Sequence, residues 1–311
     1  MTQPPPKPPF ASKLPAMCNA WIMLSEDDPD GTNYNSPTSA FQRLISKGLY
    51  QANDIINLCF VDIVPTSKDT IPCGDGSSYT LFLDKVTHPA DPDGSVPTNQ
   101  DYMEWIVRDA RKANPKIKIC LTLLYGKQNL ISQIYKNPKK PDQASADAFA
   151  KNVVTYLKQY ELNGFDIDWE WHYLSDDTTK AQFTTTFSAL GPALKAEGML
   201  LTLAPATTSH LDVKTVSGHF DIIAFQMYSS TSLPGEFATL KIKPDAFAYG
   251  AKFEAAEEST PNGEGVQTAA NAFQEMKTYG FKAVTTWRLN SQNYIFEQDQ
   301  QLALSKLVRG S

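Results

Sequence analysis

The sequence predicts one parallel α/β domain closed as a (β/α)8 barrel, on three observations. Short β-rich runs alternate with helical patterns from near one end to the other, there are eight such runs, and 311 residues is a length that eight strand–helix units fill. A doubly wound sheet is the alternative reading of the same alternation. The runs are residues 17–23, 54–63, 116–125, 164–171, 199–206, 220–228, 246–254 and 283–289.

The intervening segments carry helical spacing. After the second run Tyr102, Trp105 and Ile106 begin a stripe; after the third, Phe149, Val153, Tyr156, Leu157 and Tyr160 mark one face. Phe183, Phe187, Leu190 and Leu194 follow the fourth run, and Val266, Ala269, Ala270, Phe273 and Met276 precede the last. Such stripes are core contacts. Residues 64–97 are too long and too rich in Pro, Gly, Asp and Ser for a simple connection, and a loop of this kind is expected to serve a binding site. The link over residues 254–266 is short, so no inserted domain is expected between strand seven and helix seven. Residues 1–10, Pro-rich, read as a linker or a cloning remnant, with the catalytic domain expected over 11–311.

Composition narrows the function classes. With 41% hydrophobic and 20% charged residues the chain is ordinary globular material, and its net charge of −6 with scattered Lys and Arg offers no basic stripe for nucleic acid. No apolar run approaches the roughly 20 residues a bilayer span needs, and no signal-peptide pattern opens the chain, which reads as a soluble monomer without membrane partner. Cys18, Cys59, Cys73 and Cys120 lack metal-ligand spacing and three lie in strand-like runs, so buried free thiols are expected. No N-x-S/T sequon, phosphate loop or metal motif occurs, and neither cofactor nor metal is expected.

The chemistry concentrates in Asn163-Gly164-Phe165-Asp166-Ile167-Asp168-Trp169-Glu170-Trp171. In a strand, alternate side chains face opposite ways, so Asp166, Asp168 and Glu170 share one face and Phe165, Ile167 and Trp169 the other. The apolar set packs against the outer helices, and three carboxyl groups turn to the barrel interior, where an unpaired charge is expensive. Like charges this close cannot all ionise freely, so at least one pKa rises, and a carboxylic acid still protonated near neutral pH can serve as general acid. Glu170, nearest the C-terminal mouth, is the natural proton donor, with Asp166 and Asp168 sharing or exchanging a proton beneath it. Two-carboxylate retaining glycosidases set their acids about 5 Å apart across the scissile bond, whereas residues on one strand approach from one side. Either a carboxylate from another strand attacks, Glu254 being the best candidate, or the substrate supplies its own nucleophile.

The acidic run resembles the D-G-x-D-x-D-x-E signature of glycoside hydrolase family 18, the chitinases and endo-β-N-acetylglucosaminidases. Gln226-Met227-Tyr228 ends the sixth run as the Q-x-Y pattern does in hevamine-like members, and Trp287 falls in the eighth run, where the family places the aromatic floor of its cleavage subsite. The resemblance implies a (β/α)8 barrel and substrate-assisted retention, an exception to the two-carboxylate scheme. It implies that the acetamido oxygen attacks the anomeric carbon as Glu170 protonates the leaving oxygen. Asp168 would hold the acetamido N–H with Asp166 beneath it, Tyr228 would donate to the acetamido oxygen with Gln226 beside it, and Trp287 would stack under the sugar. Three positions depart from the pattern: Asn163 replaces the first acid, the third run ends Thr122-Leu123-Leu124-Tyr125-Gly126 instead of S-x-G-G, and Ser229 follows Tyr228.

Trp21 and Trp171 are candidates to line a sugar cleft by stacking, Trp21 equally a core residue. Trp105 reads as core, and His88, His172, His210 and His219 form no ligand spacing. The expected partner is chitin or an N-acetylglucosamine oligosaccharide, cleaved at β-1,4 links, and secretion is inferred from that substrate class. The alternatives are an endo-β-N-acetylglucosaminidase acting on the chitobiose core of N-glycans, and a non-catalytic chitin-binding lectin, a class that typically lacks the proton donor present here as Glu170.

Overall fold

The structure is a computed structural model that describes residues 9–24, 34–83, 87–90, 94–123, 131–170, 179–254 and 267–310. Its strands are β1 (Met17–Met23), β2 (Ile55–Pro65), β3 (Tyr79–Phe82), β4 (Lys118–Leu123), β5 (Gly164–Trp169), β6 (Leu200–Pro205), β7 (Ile222–Gln226), β8 (Phe247–Lys252) and β9 (Ala283–Trp287). All except β3 are parallel and follow one another around a barrel that closes where β1 pairs with both β2 and β9. Each of the eight β-rich runs therefore holds one barrel strand, and the doubly wound alternative falls because the sheet has no open ends apart from β3.

β3 lies inside the long segment read as loop and pairs antiparallel with the end of β2, Ile63 opposite Leu81. The register of β2 against β4 shifts between Cys59 and Val61. Such a bulge bends the strand, so β2 runs on beyond the barrel wall and offers its end to β3. Four residues in Ser- and Gly-rich surroundings carry too little alternation to reveal β3 in sequence.

The helices are α1 (Ala40–Ser46), α2 (Leu49–Ala52), α3 (Asn99–Ala113), α4 (Gln143–Gln159), α5 (Lys180–Ala196), α6 (Val213–His219), α7 (Leu233–Thr239), α8 (Ala269–Tyr279) and α9 (Tyr294–Arg309). Side chains begin the long ones: Thr98 and Asp101 form a capping box on α3, Thr179 and Gln182 another on α5, and Asp142 caps α4. Each satisfies amide groups that the first helical turn leaves without partners. The expected stripes face the barrel: Phe149, Val153, Tyr156 and Leu157 on α4 are buried, as are Phe183, Phe187, Leu190 and Leu194 on α5. They meet the outward side chains of the strands, Phe165, Ile167 and Trp169 among them, in one continuous core.

A second, smaller core fills the barrel interior with Trp21, Ile55, Cys59, Cys120, Ala204, Ala224 and Ala248 among its members. Small side chains suit this space because opposite strands converge there. Gly250 shows how tight the wall is, since a Cβ at that position would sit 2.1 Å from the carbonyl oxygen of Phe225. Cys18, Cys59 and Cys120 are buried free thiols held protonated by burial, and Cys73 is free and exposed. Within the Pro-rich opening, Phe10 already packs on the barrel, stacked on Tyr279 and Phe281 at the N-terminal side of β9. Among the described residues no helix is long and apolar enough to cross a membrane.

Candidate active site

Alternation along β5 sets the floor of the site. Asp166 and Asp168 point into the barrel and are buried, and Glu170 follows the last strand residue at the C-terminal mouth, partly exposed. Active sites of this barrel form at that face.

Asp166 is the deepest of the three and is held by three donors from three other strands. The Trp21 indole N–H and the Thr122 hydroxyl donate to its Oδ2, each at 3.0 Å, and the Thr202 hydroxyl donates to Oδ1. Burial raises its pKa, and these hydrogen bonds pull the other way without cancelling the rise. Asp168 is raised further, by burial first and then by the neighbouring charges of Glu170 and Asp166. The crowding read from the sequence therefore acts most strongly on Asp168, the middle carboxyl.

Gln226, at the end of β7, links the upper two acids. Its side-chain amide nitrogen donates to Asp168 Oδ1 at 2.9 Å and to Glu170 Oε1 at 3.0 Å. Only the NH2 end of an amide can lie between two carboxyl oxygens favourably, so this contact fixes the orientation of Gln226 as well as the spacing of the acids. Tyr228 stands next along the chain. Burial raises its phenol first, then the charges of Asp168 and Glu170, so it keeps its proton and remains a donor.

These groups line a pocket of about 210 Å³ together with Trp21, Ala204, Lys252 and Trp287. That is below the usual range for a site that engulfs a whole drug-sized ligand, and it suits one end or one ring of a larger substrate. Trp287 is partly exposed at the end of β9, its ring 6.0 Å from that of Trp21 and 6.1 Å from that of Phe60. Trp21 is buried, at 3% exposure, and is also among the residues that line the pocket.

Met227, the middle residue of the Gln226-Met227-Tyr228 motif, is a further substrate-binding candidate from the sequence. It is buried in the outer core and does not line the pocket, because the residue after an inward-facing Gln226 turns the other way. Asp166 does not line the pocket, and its hydrogen bond from Trp21 ties it to a residue that does. Trp171, His172, Leu124, Tyr125 and Gly126 lie outside the described residues. Asn163 accepts a hydrogen bond from the Ile119 backbone at the strand entry, away from the pocket.

Glu254, the candidate nucleophile from another strand, is tied up by cations. Arg288 donates to Glu254 Oε1 at 2.8 Å, and the Lys252 ammonium lies 3.4 Å from Oε2. A carboxylate held by two cations is a weak nucleophile. Sequence reasoning missed Thr122, Thr202, Lys252 and Arg288; inward parity near strand ends marked the first three, whereas Arg288 follows Trp287 on the opposite parity and no sequence signal marked it.

A closed (β/α)8 barrel with three acids on one inward strand face, beside a tyrosine and over tryptophans at the C-terminal mouth, defines a glycoside hydrolase site. The chain belongs to the glycosyl hydrolases family 18, whose model matches residues 34–291. Among curated relatives, an endochitinase of Brugia malayi is 25% identical over 144 residues, and the alpha/beta killer toxin subunits of Kluyveromyces lactis are 26% identical over 110 residues. The matches take in 42% and 33% of this chain but only 28% and 10% of those proteins. Among solved structures, a family 18 chitinase of Flavobacterium johnsoniae has TM-score 0.62 at 14% identity, with 94% of each chain covered. A class V chitinase of Nicotiana tobaccum has TM-score 0.61 at 13% identity, covering 95% of this chain and 98% of that one. A chitinase-like agglutinin of Robinia pseudoacacia has TM-score 0.58 at 13% identity, covering 93% and 98%.

Proposed function

We propose that the protein is a chitinase, hydrolysing β-1,4 links at N-acetylglucosamine with retention and with the substrate's acetamido group as nucleophile. One observation carries this reading: Asp166, Asp168 and Glu170 rise from a single strand, while Glu254, the acid read as the rival nucleophile, is held by Lys252 and Arg288. With no strand-mate able to reach the far face of the sugar, the acetamido oxygen is the nucleophile at hand.

The sugar stacks on Trp287. Its acetamido oxygen bonds to the anomeric carbon as the glycosidic C–O bond breaks, and the leaving oxygen takes the proton of Glu170. Asp168 accepts the acetamido N–H and offsets the positive charge that grows there, and the Tyr228 hydroxyl, kept protonated by its surroundings, donates to the acetamido oxygen. Water then adds to the anomeric carbon, giving its proton to Glu170 and restoring the acetamide. Two inversions leave the configuration retained. Gln226 holds Glu170 and Asp168 in register throughout. Extracellular breakdown of chitin is the setting this reading implies.

Product analysis tests it. The purified protein, given N-acetylglucosamine oligomers and, separately, a high-mannose glycoprotein, is expected to shorten the oligomers with β-configured products. Release of intact N-glycans with the oligomers untouched would move the assignment to an endo-β-N-acetylglucosaminidase. Binding of oligomers without any cleavage would leave a lectin.

A further inference from the structure

Three charged side chains beside the pocket have no part in the proton transfers above. Lys252 ends β8 on its inward face, opposite Trp287 in the strand register, and lines the same pocket as Asp168 and Glu170. Its side chain is 13% exposed and its ammonium lies 5.8 Å from the centre of the Tyr228 ring. An ammonium so enclosed needs pairing, and Glu254 provides it at 3.4 Å. Glu254 in turn makes its shorter contact, 2.8 Å, with Arg288, whose guanidinium lies 5.8 Å from the centre of the Trp287 ring.

The two distances differ in consequence. Arg288 and Glu254 form a charge-assisted hydrogen bond, so Glu254 is anchored from behind. The ammonium of Lys252, at 3.4 Å, is held loosely, and it carries three donors. Among the described residues Glu254 is its one ion-pair partner, which leaves its remaining donors to an oxygen arriving in the pocket. Because the carboxyl groups of Asp168 and Glu170 line the same pocket, the site favours a neutral oxygen over an anionic group.

We propose that Lys252 is a substrate-contacting, specificity-determining residue: its ammonium donates a hydrogen bond to a ring hydroxyl of the sugar seated by Tyr228 and Trp287, with Glu254 and Arg288 as the positioning residues that hold it there. The proposal rests on the reading of the pocket as the cleavage subsite. In a β-1,4-linked N-acetylglucosamine chain the hydroxyls left for such a contact are those at carbons 3 and 6.

The test couples the residue to the hydroxyl. Wild type, Lys252→Met and Lys252→Arg are assayed on N-acetylglucosamine oligomers and on oligomers whose cleavage-site ring is 3-deoxy or 6-deoxy. Lys252→Met is expected to lower kcat/KM roughly 10- to 100-fold on the parent, as for loss of a charge-assisted hydrogen bond. It is expected to lose little more on the analogue that lacks the contacted hydroxyl, an analogue on which wild type is already impaired. Lys252→Arg should recover part of the loss. Lys252→Met leaves Glu254 paired with Arg288, and Lys252→Met combined with Glu254→Gln removes both charges if the single variant does not fold. Unchanged kcat/KM in Lys252→Met, or an equal loss on the parent and both analogues, overturns the proposal. Wild type inert on every N-acetylglucosamine oligomer would instead overturn the function reading on which it stands.

Discussion

Trp21 on β1 donates its indole N–H to Asp166 on β5 at 3.0 Å, across 145 residues of sequence and the width of the barrel. The contact gives a pocket-lining aromatic a second task, since its hydrogen bond works against the rise in pKa that burial imposes on the deepest acid. Trp21→Phe keeps the ring and removes the donor, leaving Asp166 to Thr122 and Thr202. A loss of about 1 kcal/mol, the usual net worth of a hydrogen bond, is expected, seen as a lower Tm. Asp166 then holds its proton to higher pH, so the acid limb of the kcat profile should move upward. An acid limb identical to wild type would remove Asp166 from the proton economy of the site.

Glu170→Gln is expected to lower kcat by several orders of magnitude with substrate binding spared, because it removes the proton and keeps the shape. Asp168→Asn and Tyr228→Phe should each lower kcat more than they raise KM, since both groups act on charge that appears in the transition state. Steady-state kinetics on a defined oligomer decide this. Near-normal turnover in Glu170→Gln would end its assignment as proton donor.

The choice of nucleophile is open to a direct test. A thiazoline mimic of the oxazolinium ion is expected to inhibit competitively, and a chain with a free 2-amino group at the cleavage subsite should stay intact there. Glu254→Gln, which loosens Lys252, should cost far less turnover than Glu170→Gln. Labelling of Glu254 by a mechanism-based fluorosugar would restore the two-carboxylate mechanism.

Glu297, in the first turn of α9, supplies a pH signature in stability. It is fully buried, and both its oxygens are bonded to Ser291, one by the hydroxyl and one by the backbone amide at 3.1 Å. Burial raises its pKa from 4.5 to about 7 against the pull of those hydrogen bonds, with Glu254 adding to the rise. The folded state thus keeps a proton that the unfolded chain has already released. This group's contribution is most favourable below about pH 4.5 and declines as pH climbs to about 7, by on the order of 3 kcal/mol. Glu297→Gln is expected to flatten the fall in unfolding free energy over that interval, as read by urea titrations at pH 5, 6 and 7. Parallel curves for the two proteins would show that Glu297 does not titrate there.

What could be read from the sequence by itself was local. Short β-rich runs between helical patterns located all eight barrel strands, and period-two alternation put Asp166, Asp168 and Glu170 on one face because neighbours two apart on a strand have no other choice. The helical stripes on α4 and α5 were legible for the same reason, each being set by the geometry of a single element. The tertiary structure decided everything that depends on register between strands. Trp21, Thr122 and Thr202 converge on Asp166 because β1, β4 and β6 bring those inward positions to one level, and no spacing within any one strand records that level. Gln226 bridges Asp168 and Glu170 because β7 ends at their height, and Glu254 is paired with two cations because the ends of β8 and β9 bring Lys252 and Arg288 to it. A carboxyl group's proton affinity follows from its neighbours in space, and closure of the barrel is what selects them.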